Sequence, residues 1–262
     1  MQARSALFDL FGDHLRTRGG RAPVAALVRL LGPLQIAAPA VRTAISRMVR
    51  QGWLLPVRVE GGPGYQLSVR AVQRLDDAVS RIYRTGRPSW DGRFDLVVMT
   101  LPDGRSDRSR VAGTLSFLGY GRIDPSTWVS PRASEEIDTL LKEAGIPFER
   151  FTATHAAGTS GAAALVRRAW DLAELGSAYD DFVKQQTDAM AVVTRHSSDE
   201  VAYAARFRLV HVWRTFLFRD PHLPPALLPA PWPGTAAADF FDRHEVRLRP
   251  AADRYVESCL TV

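Results

Sequence analysis

The chain has 262 residues, 46% of them hydrophobic and 24% charged, with a formal net charge of +6. That length accommodates two or three domains, and that balance excludes a globally disordered chain. A single cysteine, Cys259, excludes an intrachain disulfide and a thiolate metal cluster. No apolar run of about 18 residues occurs, so no membrane span is expected. MQARSALFDLFGDHL carries acids within its apolar part and lacks a secretory cleavage pattern. These features predict a cytoplasmic protein without a membrane partner. The charge is unevenly placed: residues 1–88 hold 14 arginines against 5 acids, a net +9, and residues 89–262 come to −3. A basic first third on a mildly acidic remainder predicts a polyanion-binding module attached to something else.

In chain order, Ser5 to Leu15 places Leu7, Leu10, Phe11 and Leu15 at helical spacing before Gly19-Gly20. Pro23 opens a second helix with Val24, Leu27, Val28 and Leu31 as its stripe, and Gly32-Pro33 stops it. APAVRTAISRMVRQGW, residues 38–53, predicts a third. Val41, Ile45, Met48 and Val49 share one side, and Arg42, Thr43, Ser46, Arg47 and Arg50 the opposite arc. Arginine pairs with guanine in bidentate fashion and hydroxyls bond bases or phosphates, so this arc has the chemistry of a major-groove reader. Alone, it reads equally well as a surface helix with solvated arginines; the preceding helix and turn favour a helix-turn-helix. Two β-prone runs, Trp53 to Glu60 and Tyr65 to Val69, flank Gly61-Gly-Pro-Gly64 and predict a hairpin, completing a winged helix. The hairpin tip has no cation, leaving Arg58 and the Tyr65 hydroxyl as its contacts to DNA.

Ala71 to Arg84 predicts a helix with Val72, Leu75, Val79 and Ile82 aligned, a short seam better suited to its own domain than to a partner, and Gly86-Arg-Pro88 reads as a linker. Strand 93–101, helix 107–119, β-prone pieces near 120–123 and 127–129, helix 134–145 and strand 148–155 follow. That βαββαβ order predicts a ferredoxin-like sandwich. Gly158-Thr-Ser-Gly161 reads as a break before helices at 162–176, 177–188 and 198–218, the last with Val201, Ala205, Val212, Trp213 and Phe216 as its apolar positions. RDPHLPPALLPAPWPG, residues 219–234, is proline-dense but carries leucines and a tryptophan, so an ordered connection is expected before a terminal helix. The fold class is therefore α+β and multidomain: a winged helix-turn-helix at 1–87, a central sandwich at 88–157 and an all-helical domain at 158–262.

The chain resembles the PaaX family of bacterial transcriptional repressors. Gly12-Asp13 with PVAALVRLLGPL, then AVRTAISRMVRQGWL, then RTFLFRDPHLPPALLPAPWPG carry the likeness, in the family's order and over essentially the whole chain. The resemblance implies an N-terminal winged helix, a Cas2-like central domain and a helical C-terminal domain. It also implies a homodimer that binds palindromic double-stranded operator DNA and releases it on sensing an aryl-CoA thioester such as phenylacetyl-CoA, with no resident cofactor. Such an effector needs cations for its phosphates and an apolar slot for its acyl group. Arg214, Arg219, His222 and Trp232, with Trp128 and Arg132, have suitable types; their other reading is a packed domain junction. The glycine-rich wing tip and Ala38, in place of a Ser or Thr cap, depart from expectation.

The histidines show no HxxxH or HxH pair, and Gly158-Thr-Ser-Gly161 is not a nucleophile elbow, so neither a metal site nor catalysis is expected. One alternative is a metal-dependent nuclease on the central domain using Asp95, which reads better as a surface or capping acid. Cys259 has no base beside it and is expected to be inert.

Overall fold

A computed structural model describes residues 1–60, 62–73, 75 and 89–261, excepting the side chain of Phe218. The protein is mixed α+β with two antiparallel sheets. Its elements are α1 (Ala3–Asp9, continued by wider π-type turns over Leu10–Leu15), β1 (Arg21–Pro23), α2 (Val24–Leu31), a 3-10 turn (Gly32–Leu34), α3 (Ala38–Arg50), β2 (Leu54–Val59) and β3 (Gly62–Leu67). Then come β4 (Arg93–Met99), α4 (Arg105–Phe117), β5 (Gly121–Arg122), β6 (Thr127–Ser130), α5 (Glu136–Glu143), β7 (Phe148–Thr154), α6 (Gly158–Ala169), α7 (Leu172–Ala191), α8 (Asp199–Trp213) and α9 (Pro233–Leu260). Among the described residues, no helix is long and apolar enough to cross a membrane. Residues 69–73 and Leu75 are helical, but Val79 and Ile82 of the expected seam, and the linker at 86–88, lie outside the described residues.

The chain forms two compact units, the first from Met1–Thr85, Asp181–Leu217 and Ala236–Val262, the second from Gly86–Asp180 and Phe218–Thr235. The stretch 158–262 is thus shared between both. In the first unit, α1 to α3 pack on α8 and α9 through one apolar core that joins Leu7, Phe11, Leu27, Val41 and Met48 to Tyr203, Phe207, Ala252 and Val256. Beside this core, Trp213 stacks on Phe241 with centroids 4.7 Å apart. Val201, counted among the apolar positions of α8, is 47% exposed. Helix α8 instead buries Ala202 to Phe207 continuously, because other elements cover it on several sides and the one-face stripe disappears. Even Arg206 is buried there, 3% exposed.

Arg206 is compensated in full. Its guanidinium is paired bidentately with Asp13, with one bond of 3.1 Å, and donates to Glu245 at 2.6 Å. Arg249 neutralises Glu245 further at 2.7 and 3.0 Å. Further polar ties run the same way. Arg18 bonds Asp253 and Glu257, Arg29 reaches the Cys259 carbonyl, Arg214 and His211 meet Asp9, and Arg208 donates to the Pro33 carbonyl in the turn before α3. Gly12 is where Leu75 packs, its methyl 3.0 Å from where a Cβ would be. Gly12-Asp13 therefore serves packing and charge pairing side by side.

In the second unit, the sheet order is β5-β6-β4-β7, all antiparallel, with β4 flanked by β6 and β7. Adjacent residues of a strand face opposite sides, so Val97 and Trp128 join α4 and α5 on one face. Phe94 and Val129 join α6, Leu223 and Leu227 on the other. The proline-dense stretch is ordered, as expected, and covers that second face. Two expected boundaries move. Residues 158–161 start α6 instead of interrupting the chain, since Gly161 makes room for the His155 ring. The helix expected to end at Gly176 runs through it, with Gly176 packed on Trp232 and Pro233, and the real break is at Trp170, which is extended, with Asp171 accepting from the Glu174 amide at 2.8 Å.

His14 lies against the Tyr203 and Phe207 rings in the first core, and burial lowers its pKa from 6.5 to about 4. The unfolded chain takes up this proton first, so the stability is present above pH 6.5 and is lost as pH falls toward 4. Between pH 7 and pH 5 this one group removes about 2 kcal/mol of stability. Urea unfolding at the two pH values is expected to show the drop in the natural protein and a drop smaller by about that amount in His14→Gln; equal drops would contradict the assignment.

Candidate nucleic-acid interface

Helix α3 begins with Pro39 in its first turn, where a missing N–H costs nothing, and its N-cap, Ala37, makes no side-chain cap bond. It stops at Gly52, whose φ of +72° suits glycine, with the Gly52 and Trp53 amides closing on Val49 and Met48 carbonyls at 2.9 Å each. Val41, Ala44, Ile45 and Met48 are buried, and Val49 is half-buried. Arg42, Thr43, Ser46, Arg47 and Arg50 are all exposed. The Ser46 hydroxyl donates to the Arg42 carbonyl at 3.0 Å, which spends its proton inside the helix and leaves it an acceptor toward solvent. The arc anticipated from spacing is thus a continuous face of three guanidiniums and two hydroxyls.

The hairpin differs from expectation at its tip. Gly62 to Gly64 belong to β3, paired with Val59 to Val57, so strand pairing extends into the stretch expected to turn. The reason lies in β1, which adds to β3 on its other edge: a Cβ at Gly64 would sit 2.6 Å from the Ala22 carbonyl oxygen. Glycine there permits the third strand and is not a turn residue. Arg58 is exposed on β2; Tyr65 is half-buried with its ring against the core, which limits its offer to the hydroxyl. Sequence spacing does not single out Arg70, yet it is exposed and stacked 4.3 Å over Trp53, itself edge-on to Phe8 of α1. Ser68 ties this corner to the end of α3 by donating to the Gly52 carbonyl at 2.8 Å. A cation fixed by an aromatic face beside a basic helix is positioned for a phosphate; only an unremarkable arginine marks it in the sequence.

The six residues named for an acyl-CoA fall in both units, and within the second Arg132 and His222 meet directly. Arg214 is paired with Asp9 in the first unit. In the second, Arg219 bonds Glu174 at 2.8 Å, and Arg132 donates to the His222 carbonyl. Trp232 meets Tyr179 edge-on at 6.1 Å, and the Tyr179 hydroxyl donates to Asp220 at 2.5 Å. Asp220 also accepts from the His222 amide at 2.6 Å. A Cβ at Gly234 would strike the Trp232 indole and lie 2.9 Å from Tyr179. The Asp-Pro and Trp-Pro-Gly spacing therefore records a packed lock. Trp128 faces the other side of the sheet from Trp232.

Asp95 is neither a surface nor a capping acid. It is buried, accepts from the Tyr120 hydroxyl and takes Arg150 Nε at 2.8 and 3.1 Å. Arg150 continues to Asp138 and the Ser134 carbonyl, and the hydrogen bonds it donates to Asp95 hold its pKa above the ordinary value. A carboxylate engaged in this way is a structural anchor of the sheet, which removes the residue on which a nuclease was considered. Cys259 is buried in the first core.

Geometry thus defines a class, mixed α+β proteins that set an arginine-bearing helix face on a core shared with their C-terminal helices. The family follows from sequence. Three family descriptions match in chain order: PaaX-like protein over residues 2–71, PaaX protein central Cas2-like domain over 87–165 and PaaX-like protein C-terminal domain over 170–258. The chain is 33% identical to the transcriptional repressor PaaX of Escherichia coli (strain K12), over 96% of this chain and 82% of that one. That relative is a regulator and not an enzyme, and this chain belongs to the PaaX family. The uncharacterized protein Rv0674 from Mycobacterium tuberculosis has a similar fold, with a TM-score of 0.64 and 21% identity over 97% of this chain and 98% of that one.

Because Gly64 opposes backbone that no rotamer can move, Gly64→Ala is expected to cost about 1–3 kcal/mol in chemical unfolding. A stability equal to the natural protein's would contradict the three-stranded arrangement at this position.

Proposed function

We propose that the protein is a DNA-binding transcriptional repressor whose N-terminal part, 1–87, is a winged helix-turn-helix, with α3 as the groove-reading helix. The observation that carries this reading is the division of α3, with Val41, Ala44, Ile45 and Met48 sealed in the core while Arg42, Thr43, Ser46, Arg47 and Arg50 face solvent. The name of the E. coli relative supports it. Arg42 and Arg47 are the leading base or phosphate contacts, Arg50 and Arg58 suit phosphates, and Tyr65 adds a hydroxyl at the wing. Two copies acting as a homodimer on a palindromic duplex would double this small surface. The family descriptions support a three-part division of the sequence, 1–87, 88–157 and 158–262, whose last part contributes to both compact units. Release by an aryl-CoA thioester such as phenylacetyl-CoA is part of the same reading and rests on the family likeness. Binding and release need no resident cofactor.

In a fluorescence-anisotropy titration on operator duplex, Arg47→Ala is expected to weaken binding by about 1–3 kcal/mol, roughly 5- to 150-fold, if it reads a base. A phosphate role for Arg42 would instead weaken all duplexes alike and lower the salt slope by about 1. Unchanged affinity in both variants would sink the assignment of α3.

A further inference from the structure

The second unit holds a cavity of about 350 Å³ to which, of the six residues named for an acyl-CoA, Trp128 alone contributes. Trp128 and Met99 form its floor, on the sheet face that also carries Val97. Arg122 on β5 stands in register opposite Trp128 on β6, so both side chains rise from the same face. Arg105, the first residue of α4, forms another part of the rim, and Arg122 and Arg105 are both exposed. Arg108 fixes the remaining wall by donating to the Pro102 and Asp103 carbonyls at 3.0 Å each, which places the half-exposed Leu101 at the mouth. No acidic side chain lines the cavity among the described residues. Asp107, the acid of the same helix turn, is turned onto Arg110. An apolar floor under a rim of arginines has one chemical complement.

We propose that this cavity binds a small amphipathic anion, an aryl or acyl body seated on Trp128 and Met99 with its carboxylate or phosphate held at Arg105 and Arg122. The volume suits a body of one or two rings, at the small end of ligand sites. Control of DNA binding by such a ligand rests on the repressor reading above; the binding itself does not.

Calorimetry on the full chain tests it with three probes of one shape: 1-naphthylacetate, 1-naphthyl phosphate and the uncharged 2-(1-naphthyl)ethanol. One site per chain is expected for an anion, with the alcohol at least ~10-fold weaker, the loss of one charge-assisted bond. The tighter of the two anions identifies the head group. Arg105→Gln/Arg122→Gln, both at exposed positions and so compatible with folding, is expected to weaken the anions ~10-fold or more without moving the melting temperature. Equal affinity for anion and alcohol, an unaffected double variant, or no binding of any probe would overturn the site. A chain that shows this ligand pattern but binds no DNA upholds the site and sinks only the repressor reading. A chain that binds DNA while its titrations stay flat does the reverse.

Discussion

Arg206 is held between Asp13 and Glu245 in the interior of the first unit, and the rest of that unit depends on the arrangement. A guanidinium taken out of water costs several kcal/mol unless its charge and its donors are all met. Here the two carboxylates come from opposite ends of the chain, and Arg249 balances the second of them. The set is neutral as a whole and charged at every member. Removing one partner strands the others in low dielectric, so the ends of the chain stay together or the core pays in exposed charge. Apolar packing of Phe11 and Leu27 on Tyr203 and Phe207 supplies the bulk of the cohesion, and the charge set fixes how the helices align.

This has a consequence for α3. The helix does not rest on a self-sufficient small domain. Its turn is held by Arg208 through the Pro33 carbonyl, and the helix before that turn is tied by Arg29 to the Cys259 carbonyl. Residues more than 170 positions away thus set the orientation of the arginine face. Whatever acts on α8 or α9 acts on the platform from which Arg42 and Arg47 project. A basic helix of only 13 residues, beside a hairpin whose strands offer Arg58 alone as a cation, has little redundancy, which makes that platform important.

Local features were legible in the sequence because local rules produce them. The 3.6-residue period separated the buried and exposed sides of α3, proline and glycine marked its ends, and alternating strands and helices prescribed the β5-β6-β4-β7 sheet. What was illegible depends on partners distant along the chain. Arg206 meets Asp13 across 193 positions, and no periodicity announces it. Asp95 looked like a surface acid because Arg150, 55 residues later, is invisible to a local window. Spacing lists Val201 with the apolar positions of α8, but the helix is covered on several sides, so a one-face stripe does not describe it and Val201 is exposed. The acyl-CoA candidates were grouped by chemical type, whereas neighbours on one strand face opposite ways and Trp128 parted from Trp232. Gly64 fell in the expected turn, whereas close approach of the Ala22 backbone required it.

Amide hydrogen exchange on the natural protein and on Arg206→Met tests the dependence of α3 on the distant charge set most directly. Protection is expected to fall together in α1, α3, α8 and the later part of α9, while the β4–β7 sheet keeps its own. Loss confined to α8, with α3 as protected as before, would contradict it.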